Sequence, residues 1–293
     1  MPPAGGGHLP PYDRRVTTPG LPFAKGHGTE NDFVLLPDPD GTLDLTPDLV
    51  RALCDRRAGL GADGVLRVVR SAAYPDAAGL ADRAEWFMDY RNADGSIAEM
   101  CGNGVRVFVR YLYEQGLVPL GRLDVGTRAG VRAVVLAEDS VTVDMGAPAF
   151  GPETAATVGG TTYPGSAVSM GNPHLVCRVD VPLADLDLTR MPAVDTAVFP
   201  DGVNVEFVVP AEPLDGADAH VAMRVHERGV GETRSCGTGT CAVAAVALRD
   251  RGLDRGTVVV DVPGGQVTVT LDGVTSLLTG PAVIVAGGVL ATR

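Results

Sequence analysis

The sequence predicts an α+β protein of two similar, pseudo-symmetric domains that arose by internal duplication. Each is expected to be a curved, mostly antiparallel sheet wrapped around a central helix, with the active site in the cleft between them. The first observation is a repeat, since Met100-Cys101-Gly102-Asn103-Gly104 returns as Ser235-Cys236-Gly237-Thr238-Gly239. The second is the number of short β-patterned segments for one long helix per half, without the strand–helix alternation of a parallel α/β fold.

Each repeated cysteine is predicted to begin a helix. After Cys101, apolar residues recur at helical spacing from Val105 to Leu112 on one face, and Gly116 follows where the helix should end. A helix rich in small apolar residues follows Cys236 and ends near Gly252. The two segments from cysteine to terminal glycine differ in length by one residue, which supports the duplication.

The repeat extends upstream of the helices. Asn92 and Glu227 each lie nine positions before the cysteine of their half, at the start of a polar loop that contains glycine. Further upstream, GTENDFV and MGNPHLV have the same rhythm and place Asn31 opposite Asn172. The polar residues are therefore expected to form two matched sets.

Residues 1–21 contain Gly5-Gly6-Gly7 and five prolines and show little apolar periodicity, so they are predicted to be a flexible extension. Gly146-Ala147-Pro148 is the predicted boundary between an N-terminal domain, residues 22–147, and a C-terminal domain, residues 148–281. Residues 71–83 are expected to form an inserted surface loop.

Strands are predicted where β-branched and apolar residues cluster between turn residues. In the first half they lie within residues 23–38 and at 65–69, 85–90, 123–125, 131–136 and 141–145, and a short helix is expected after Thr46. In the second half they lie at 166–179, 203–209, 219–225, 258–262, 267–271, 275–278 and 283–290.

Composition excludes several classes of function. The formal net charge of −12 and the absence of any basic run argue against nucleic acid or an anionic membrane as a partner. The sequence has no apolar stretch long enough to span a membrane and no secretory leader pattern, which predicts a cytoplasmic protein. Five cysteines, an odd number at irregular spacings, indicate reduced thiols. Oligomeric state stays open, with a homodimer as one alternative.

The two repeated cysteines are the candidate catalytic residues. A thiol at a helix N-terminus is expected to have a pKa below its free value of about 8.5, because unpaired backbone N–H groups stabilise the thiolate. The same N–H groups bind a carboxylate, and glycines beside the cysteine allow a substrate to approach. This combination predicts proton abstraction beside a carboxylate. Cys54, Cys177 and Cys241 lack such a context and are assigned to the core.

Other polar residues in these loops are candidates for supporting roles. His174 is a candidate to orient a thiol or accept its proton, and Glu227 to pair with a thiol or hold an ammonium group. Arg228 offers the planar fork that binds a carboxylate through two hydrogen bonds. Neither a metal nor pyridoxal phosphate is expected, since the chain shows no metal-ligand spacing and Lys25 is its single lysine.

Several separated motifs together resemble those of the diaminopimelate epimerase family. They are KGHGTENDF, NADGS with MCGNGVR, MGNPH, GVNVEF and ERGVGETRSCGTGTCA, and the resemblance covers nearly all of the chain from Phe23 to Arg293. It implies a cofactor-free isomerase that interconverts LL- and meso-2,6-diaminopimelate for lysine and peptidoglycan synthesis. It further implies that Cys101 and Cys236 are the two acid/base groups on opposite faces of the α-carbon.

The resemblance also implies the substrate-binding residues and one topological feature. The implied binding residues are Asn31, Asn92, Asn172, Asn204, Glu227 and Arg228, with the helix N-termini at Gly102-Asn103 and Gly237-Thr238. The family's domains exchange a final strand, which places residues 282–293 with the N-terminal domain. The sequence departs from the family at Glu30, where glycine is usual, and at Gly64, where many members have glutamine.

The sequence is also compatible with two alternatives. One is another two-thiol amino-acid racemase, similar to proline racemase; a phenazine-pathway isomerase is a further relative, but that type lacks the thiol pair. The other is a homologue that binds an amino acid without turnover. Retention of both cysteines together with Glu227 and Arg228 favours an enzyme.

Overall fold

The computed structural model describes residues 20–290. The first seven strands are β1 (Leu21–Gly28), β2 (Asn31–Pro37), β3 (Gly64–Arg70), β4 (Trp86–Asn92), β5 (Gly121–Thr127), β6 (Gly130–Leu136) and β7 (Val141–Gly146). The others are β8 (Ala149–Val158), β9 (Thr161–Ser169), β10 (Pro173–Arg178), β11 (Ala193–Val194), β12 (Asn204–Pro210), β13 (Ala219–Glu227), β14 (Gly231–Thr233), β15 (Gly256–Val262), β16 (Gly265–Leu271), β17 (Ser276–Gly280) and β18 (Val283–Leu290). The α-helices of this range are α1 (Pro47–Cys54), α2 (Gly102–Glu114) and α3 (Gly237–Arg249).

The strand pairings confirm the predicted duplication. The first half runs β18-β1-β2-β3-β4-β5-β6-β7, and the second runs β8-β9-β10-β12-β13-β15-β16-β17. Both follow the same order of antiparallel and parallel pairs, with parallel pairs at β2–β3 and β4–β5 in one half and at β10–β12 and β13–β15 in the other. The halves join where β7 pairs antiparallel with β17.

The outermost strand of each half comes from the far end of the other. Strand β18 follows β17 along the chain but pairs antiparallel with β1, from Leu21–Leu290 to His27–Val283. Strand β8 follows β7 but pairs with β9. The two crossings are equivalent under the pseudo-symmetry, so each half contains one strand that continues from the sheet of the other.

Helices α2 and α3 lie inside these curved sheets and are thirteen residues each. The sequence predicted a single buried face for α2, but every residue from Gly102 to Leu112 is buried, including Arg106 and Arg110. The sheet surrounds the helix, so polar positions of the helical pattern are enclosed as well. Helix α3 fits the same enclosure with small side chains such as Ala242, Ala244 and Ala245, all buried.

Several sequence-based boundaries were wrong. Residues 71–83 are not a loop but contain two 3₁₀ helices, Ser71–Ala73 and Pro75–Leu80, and Tyr74 between them packs on Phe87 with ring centroids 5.6 Å apart. The strand predicted at 166–179 is two strands, β9 and β10, separated by a turn. Strand β8 was missed because its largely exposed residues lack an apolar pattern.

Residues 1–19 and 291–293 lie outside the described residues, and so does almost all of the predicted extension. Leu21 was assigned to that extension but begins β1. No helix within residues 20–290 is both long and apolar enough to cross a membrane.

Candidate active site

The candidate residues converge at one end of each half. In the first half, Asn31 begins β2, Gly64 begins β3, Asn92 ends β4, and Cys101 precedes α2. The second half repeats this arrangement with Asn172 before β10, Asn204 at the start of β12, Glu227 at the end of β13, and Cys236 before α3. The pseudo-symmetry therefore brings two equivalent sets of polar residues to two helix N-termini.

Both cysteines cap their helices, as predicted. The Sγ atom of Cys101 accepts a hydrogen bond from the backbone N–H of Gly104 at 3.4 Å, and Cys236 accepts one from Gly239 at the same distance. Both cysteines have the extended backbone of an N-cap residue. Each thiol therefore lies at the positive end of a helix dipole.

The two helix N-termini meet directly at the boundary between the halves. The Nδ2 group of Asn103, in the first turn of α2, donates to the backbone oxygen of Ser235 at 3.2 Å and to its hydroxyl at 3.1 Å. A Cβ atom on Gly237 would lie 3.3 Å from the backbone nitrogen of Asn103. Glycine at this position thus permits the close approach of α3 to α2.

Buried Arg106 stabilises this junction. Its guanidinium donates to Asn103 Oδ1 at 2.6 Å, to Thr29 Oγ1 at 3.2 Å and to the backbone oxygen of Pro281 at 2.8 Å. Burial lowers the pKa of Arg106 to about 10, and the nearby Cys101 opposes that effect. Arg106 thereby holds the amide that links the two halves.

Near Cys101, the carboxamide of Asn31 has a defined orientation. Its Nδ2 donates to Asp63 Oδ2 at 2.7 Å, so its Oδ1 faces the site and accepts from Asn103 at 3.3 Å and from the Cys101 thiol at 3.7 Å. Asp63 was not among the predicted residues. It acts on the thiol through Asn31.

Near Cys236, a chain of hydrogen bonds leads away from the thiol into the core. Thr238 Oγ1 lies 3.6 Å from the Sγ atom and accepts from Asn172 Nδ2 at 3.3 Å. Asn172 Oδ1 lies 3.2 Å from His174 Nε2, and His174 Nδ1 lies 2.7 Å from Glu206 Oε1. Neither His174 nitrogen contacts a thiol directly, so of the two predicted roles the chain supports orientation of the Cys236 thiol through Asn172 and Thr238, not direct acceptance of its proton.

Glu227, at the end of β13, interacts electrostatically with the repeated cysteine of each half. Its Oε1 accepts a hydrogen bond from the Thr233 hydroxyl, and burial raises the pKa of its carboxyl. Burial is the main cause that raises the pKa of the Cys101 and Cys236 thiols, and the charge of Glu227 adds to this effect at both.

Asn204 positions Arg228 at the rim of the site. Asn204 Oδ1 accepts from the backbone N–H of Arg228 at 2.9 Å, and its Nδ2 donates to the backbone oxygen of Pro173 at 3.1 Å. The exposed Arg228 side chain donates to the backbone oxygen of Asp201 at 3.2 Å and has no carboxylate partner within residues 20–290. Its other side-chain N–H groups make no hydrogen bond to residues 20–290, which leaves them available to a ligand. In the first half, Asn92 donates to Ser96 Oγ at 2.9 Å.

Glu30 and Gly64, the two residues that depart from the motifs of the resembled family, lie where the backbone conformation or its close packing restricts the side chain. Thr29 and Glu30 have φ values of 49° and 61°, in the left-handed region where glycine is favoured. Glu30 is held there by an ion pair with Arg234 of the other half. Gly64 pairs with Asn92, and a Cβ atom there would lie 2.5 Å from the Arg91 backbone oxygen.

The expectation of lowered thiol pKa values was wrong for this structure. Burial raises the pKa of Cys101 to about 12 and holds that of Cys236 well above its usual range, although Gly104 and Gly239 N–H groups oppose the effect. The cost of placing a thiolate in a low dielectric exceeds the helix-terminus effect, which is typically below 1 kcal/mol at exposed sites and up to about 2 kcal/mol at partly buried ones.

We therefore expect Cys101 to be a thiol at neutral pH in the substrate-free protein. An unfolded-state thiol ionises near pH 8.5, whereas the folded Cys101 ionises only near pH 12. The stability that the neutral thiol contributes should therefore be fully present below about pH 8.5 and should be lost as the pH rises from there towards 12. The ultraviolet thiolate absorbance of the protein, minus that of a Cys101→Ala variant, should stay near zero until about pH 10. A full thiolate signal from Cys101 at pH 7 would contradict this expectation.

Sequence reasoning missed Asp63, Arg106 and Glu206. Asp63 lies in the glycine-containing segment Gly61-Ala62-Asp63-Gly64, whereas Glu206 alternates with apolar residues in a strand pattern and Arg106 lies off the predicted apolar face of its helix. No local pattern in the sequence therefore marked these three residues as part of the site. Within residues 20–290, no group of three or more His, Cys, Asp or Glu residues is placed to hold a metal ion.

The duplicated fold, with matched polar residues meeting at one boundary, indicates the class of protein. Its architecture is similar to that of a hydroxyproline epimerase from Agrobacterium vitis, with a TM-score of 0.63, 16% identity, and coverage of 93% of this chain and 92% of that one. A phenazine biosynthesis protein of the PhzF family from Bacillus anthracis matches with a TM-score of 0.69, 17% identity, and coverage of 94% and 100%. These likenesses establish the fold.

Sequence comparison supplies the family. The sequence profile of the family described as diaminopimelate epimerase matches residues 23–151 and 166–285. A curated diaminopimelate epimerase of Thermobifida fusca is 57% identical over 272 residues, covering 91% of this chain and 96% of its own length. One from Streptomyces coelicolor is 56% identical over 285 residues, covering 92% and 94%. The chain is an isomerase and belongs to the diaminopimelate epimerase family.

Proposed function

We propose that this protein interconverts LL- and meso-2,6-diaminopimelate, a step in the synthesis of lysine and peptidoglycan precursors, by two-base proton transfer between Cys101 and Cys236. The observation that carries the mechanism is that the two capping thiols belong to helix N-termini that touch through Asn103 and Ser235. We infer from this contact that a group bound at the junction would have one thiol on each side. Inversion of a carbon requires that arrangement, because the proton must leave one face and arrive at the other.

The substrate α-carboxylate is proposed to bind between the two helix N-termini. The backbone N–H groups of Gly102, Asn103, Gly237 and Thr238 belong to the first turns of α2 and α3, where they lack partners within the helix. Such groups bind anions and stabilise the charge that develops on a carboxylate when the adjacent carbon loses its proton. The carbanion is thereby stabilised without a cofactor.

One thiol must lose its proton before it acts as a base. Glu227 is the proposed acceptor, because its carboxylate interacts electrostatically with both thiols. Burial also raises the pKa of this carboxyl group, and a pKa closer to neutral pH suits a group that accepts and returns a proton. The thiol on the opposite face keeps its proton and delivers it to the carbanion. The same two residues exchange roles in the reverse reaction.

Residues at the rim are proposed to recognise the distal end of the substrate. Diaminopimelate has a second ammonium and carboxylate at that end, and Arg228 offers unpaired N–H groups beside Asn204. Asn92, from the first half, is proposed to bind the same distal end of the substrate. This set would distinguish diaminopimelate from amino acids that share only the α-carbon and its substituents.

Deuterium labelling tests the two-base mechanism. If each thiol serves one face, product formed in D₂O should carry deuterium at the inverted carbon while recovered substrate is largely unlabelled at early times. The measurement is mass spectrometry of both stereoisomers during the first few per cent of conversion, after their separation. Equal early labelling of substrate and product would indicate one shared base, and no conversion of diaminopimelate would refute the proposed activity.

A further inference from the structure

The innermost pair of the Cys236 hydrogen-bond chain, His174 and Glu206, has an unusual environment. Both side chains are 0% exposed, and His174 Nδ1 and Glu206 Oε1 are 2.7 Å apart. The second carboxyl oxygen, Oε2, is buried and makes no hydrogen bond to any residue from 20 to 290. Within the same range, no Lys or Arg pairs with Glu206. Among the side chains of residues 20–290, His174 is thus the single hydrogen-bond partner of this carboxyl group.

Counting hydrogens along the chain restricts the protonation of the pair. Asn172 uses Nδ2 as the donor to Thr238, so it presents its oxygen to His174, and Nε2 of His174 must carry the hydrogen. At 2.7 Å, a bare Nδ1 facing a bare carboxylate oxygen would be repulsive, so a hydrogen lies between them. That hydrogen belongs either to an imidazolium facing a carboxylate or to a carboxylic acid facing a neutral imidazole.

The surroundings favour the carboxylic acid. A carboxylate would leave a charged oxygen, Oε2, buried without a partner, which costs more than leaving a neutral carbonyl oxygen there. The other ionisable groups facing Glu206 are Glu227 on β13, Cys236 at the start of α3 and Cys177 on β10, and each is neutral or negative. Burial also raises the pKa of the Glu206 carboxyl.

We propose that Glu206 is a positioning residue that acts as a neutral acid. Its Oε1–H donates to His174 Nδ1 and keeps the hydrogen of the imidazole on Nε2, which orients the Asn172 amide toward Thr238 and the Cys236 thiol. A neutral Glu206 also leaves no like charge beside Cys236 when that residue becomes a thiolate. This inference rests on the proposed function for its effect on catalysis, but not for the protonation of the pair.

The glycine at the third position after Cys236 fits this role. A Cβ atom on Gly239 would lie 2.5 Å from Glu206 Oε1, so the first turn of α3 leaves space for the carboxyl group. The N–H of the same residue donates to Cys236 Sγ. The carboxyl group therefore packs against the helix turn that caps the catalytic thiol.

Two substitutions of similar size distinguish the acid from a carboxylate. In Glu206→Gln, the amide N–H can replace the acid as donor to Nδ1, so kcat/KM for diaminopimelate should stay within about threefold of the unaltered protein. Glu206→Leu removes the donor and should lower kcat/KM by roughly 5- to 100-fold, as expected for a buried partner left unpaired. Glu153→Gln, which changes a carboxylate that pairs with Arg249 far along the sheet, should have no effect.

NMR of protein labelled with ¹⁵N in the histidine rings measures the protonation of the His174 imidazole directly and does not depend on activity. The signal of His174 among the five histidines is assigned with a His174→Gln variant. We expect a neutral imidazole with hydrogen on Nε2 alone, both in the unaltered protein and in Glu206→Gln. An imidazolium signal, or a Glu206→Gln variant as impaired as Glu206→Leu, would overturn the acid assignment.

A positioning role is refuted if folded Glu206→Leu retains full activity, with folding judged by thermal unfolding and the NMR spectrum. If Glu206→Leu does not fold, the NMR signal of the unaltered protein and the activity of Glu206→Gln still decide the question. A neutral His174 signal in a protein that does not epimerise diaminopimelate would refute the proposed function and leave the protonation of Glu206 established.

Discussion

Replacing either Cys101 or Cys236 with alanine should abolish epimerisation, with kcat reduced by about 10²- to 10⁴-fold or more, the range that a positioned acid or base contributes. Inversion needs both a base and an acid, so neither thiol can compensate for the other. Stereochemical assay of the product from purified variants measures this effect. An active Cys101→Ala variant would refute the assignment.

The two variants should differ from each other in a second measurement. Each retains one thiol on one face, so each can remove and return a proton on that face without inversion. In D₂O, Cys101→Ala should label one stereoisomer of diaminopimelate and Cys236→Ala the other, both without net conversion. The same stereoisomer labelled by both variants would show that the thiols do not serve opposite faces.

Cys177→Ala and Cys54→Ala are the matched controls. Both residues are buried. Cys177 lies on β10, the strand that also contains His174, and Cys54 lies at the end of α1. Their loss should lower the free energy of unfolding by about 0.5–3 kcal/mol, the usual range for core substitutions, and leave kcat unchanged. The contrast separates loss of a thiol from loss of catalysis.

Arg228→Ala should lower kcat/KM for diaminopimelate by roughly 30-fold to several thousand-fold. The Arg228 side chain is exposed in the substrate-free protein and is proposed to become buried against the distal carboxylate in the complex, where loss of one partner of a charge pair costs about 2–5 kcal/mol. Arg228→Lys should recover only part of the loss, because an ammonium cannot make the two parallel hydrogen bonds of a guanidinium. Steady-state kinetics of the three proteins measures the series.

Substrate analogues and a second arginine provide the controls for Arg228. Lysine keeps the distal ammonium but lacks the distal carboxylate, so it should be a very poor substrate of the unaltered protein and should be little affected by Arg228→Ala. Arg251→Ala, in the turn after α3, should leave kcat/KM for diaminopimelate unchanged. If lysine or proline is racemised about as well as diaminopimelate is epimerised, the distal site is assigned incorrectly and a general amino-acid racemase is the better interpretation.

The sequence was informative where local rules decide structure. Cys101 and Cys236 cap helices because a following glycine and an apolar helical pattern define a helix start without reference to the rest of the chain. Asn92 and Glu227 end equivalent strands because the duplication preserved their spacing from the cysteines. Repetition within one chain thus identified two halves of a site before either half was placed in space.

Only the tertiary structure decided properties that depend on distant residues. Glu206 alternates with apolar neighbours like any strand residue, and its role follows from contacts with His174 and Gly239, which approach it from β10 and α3. The resemblance implied that β18 joins the first half, and its pairing with β1 bears this out, whereas the matching exchange of β8 was decided only by pairing across the whole sheet. The thiol pKa values changed direction for the same reason, because desolvation depends on everything packed around a group, whereas the helix-terminus effect can be inferred from the motif alone.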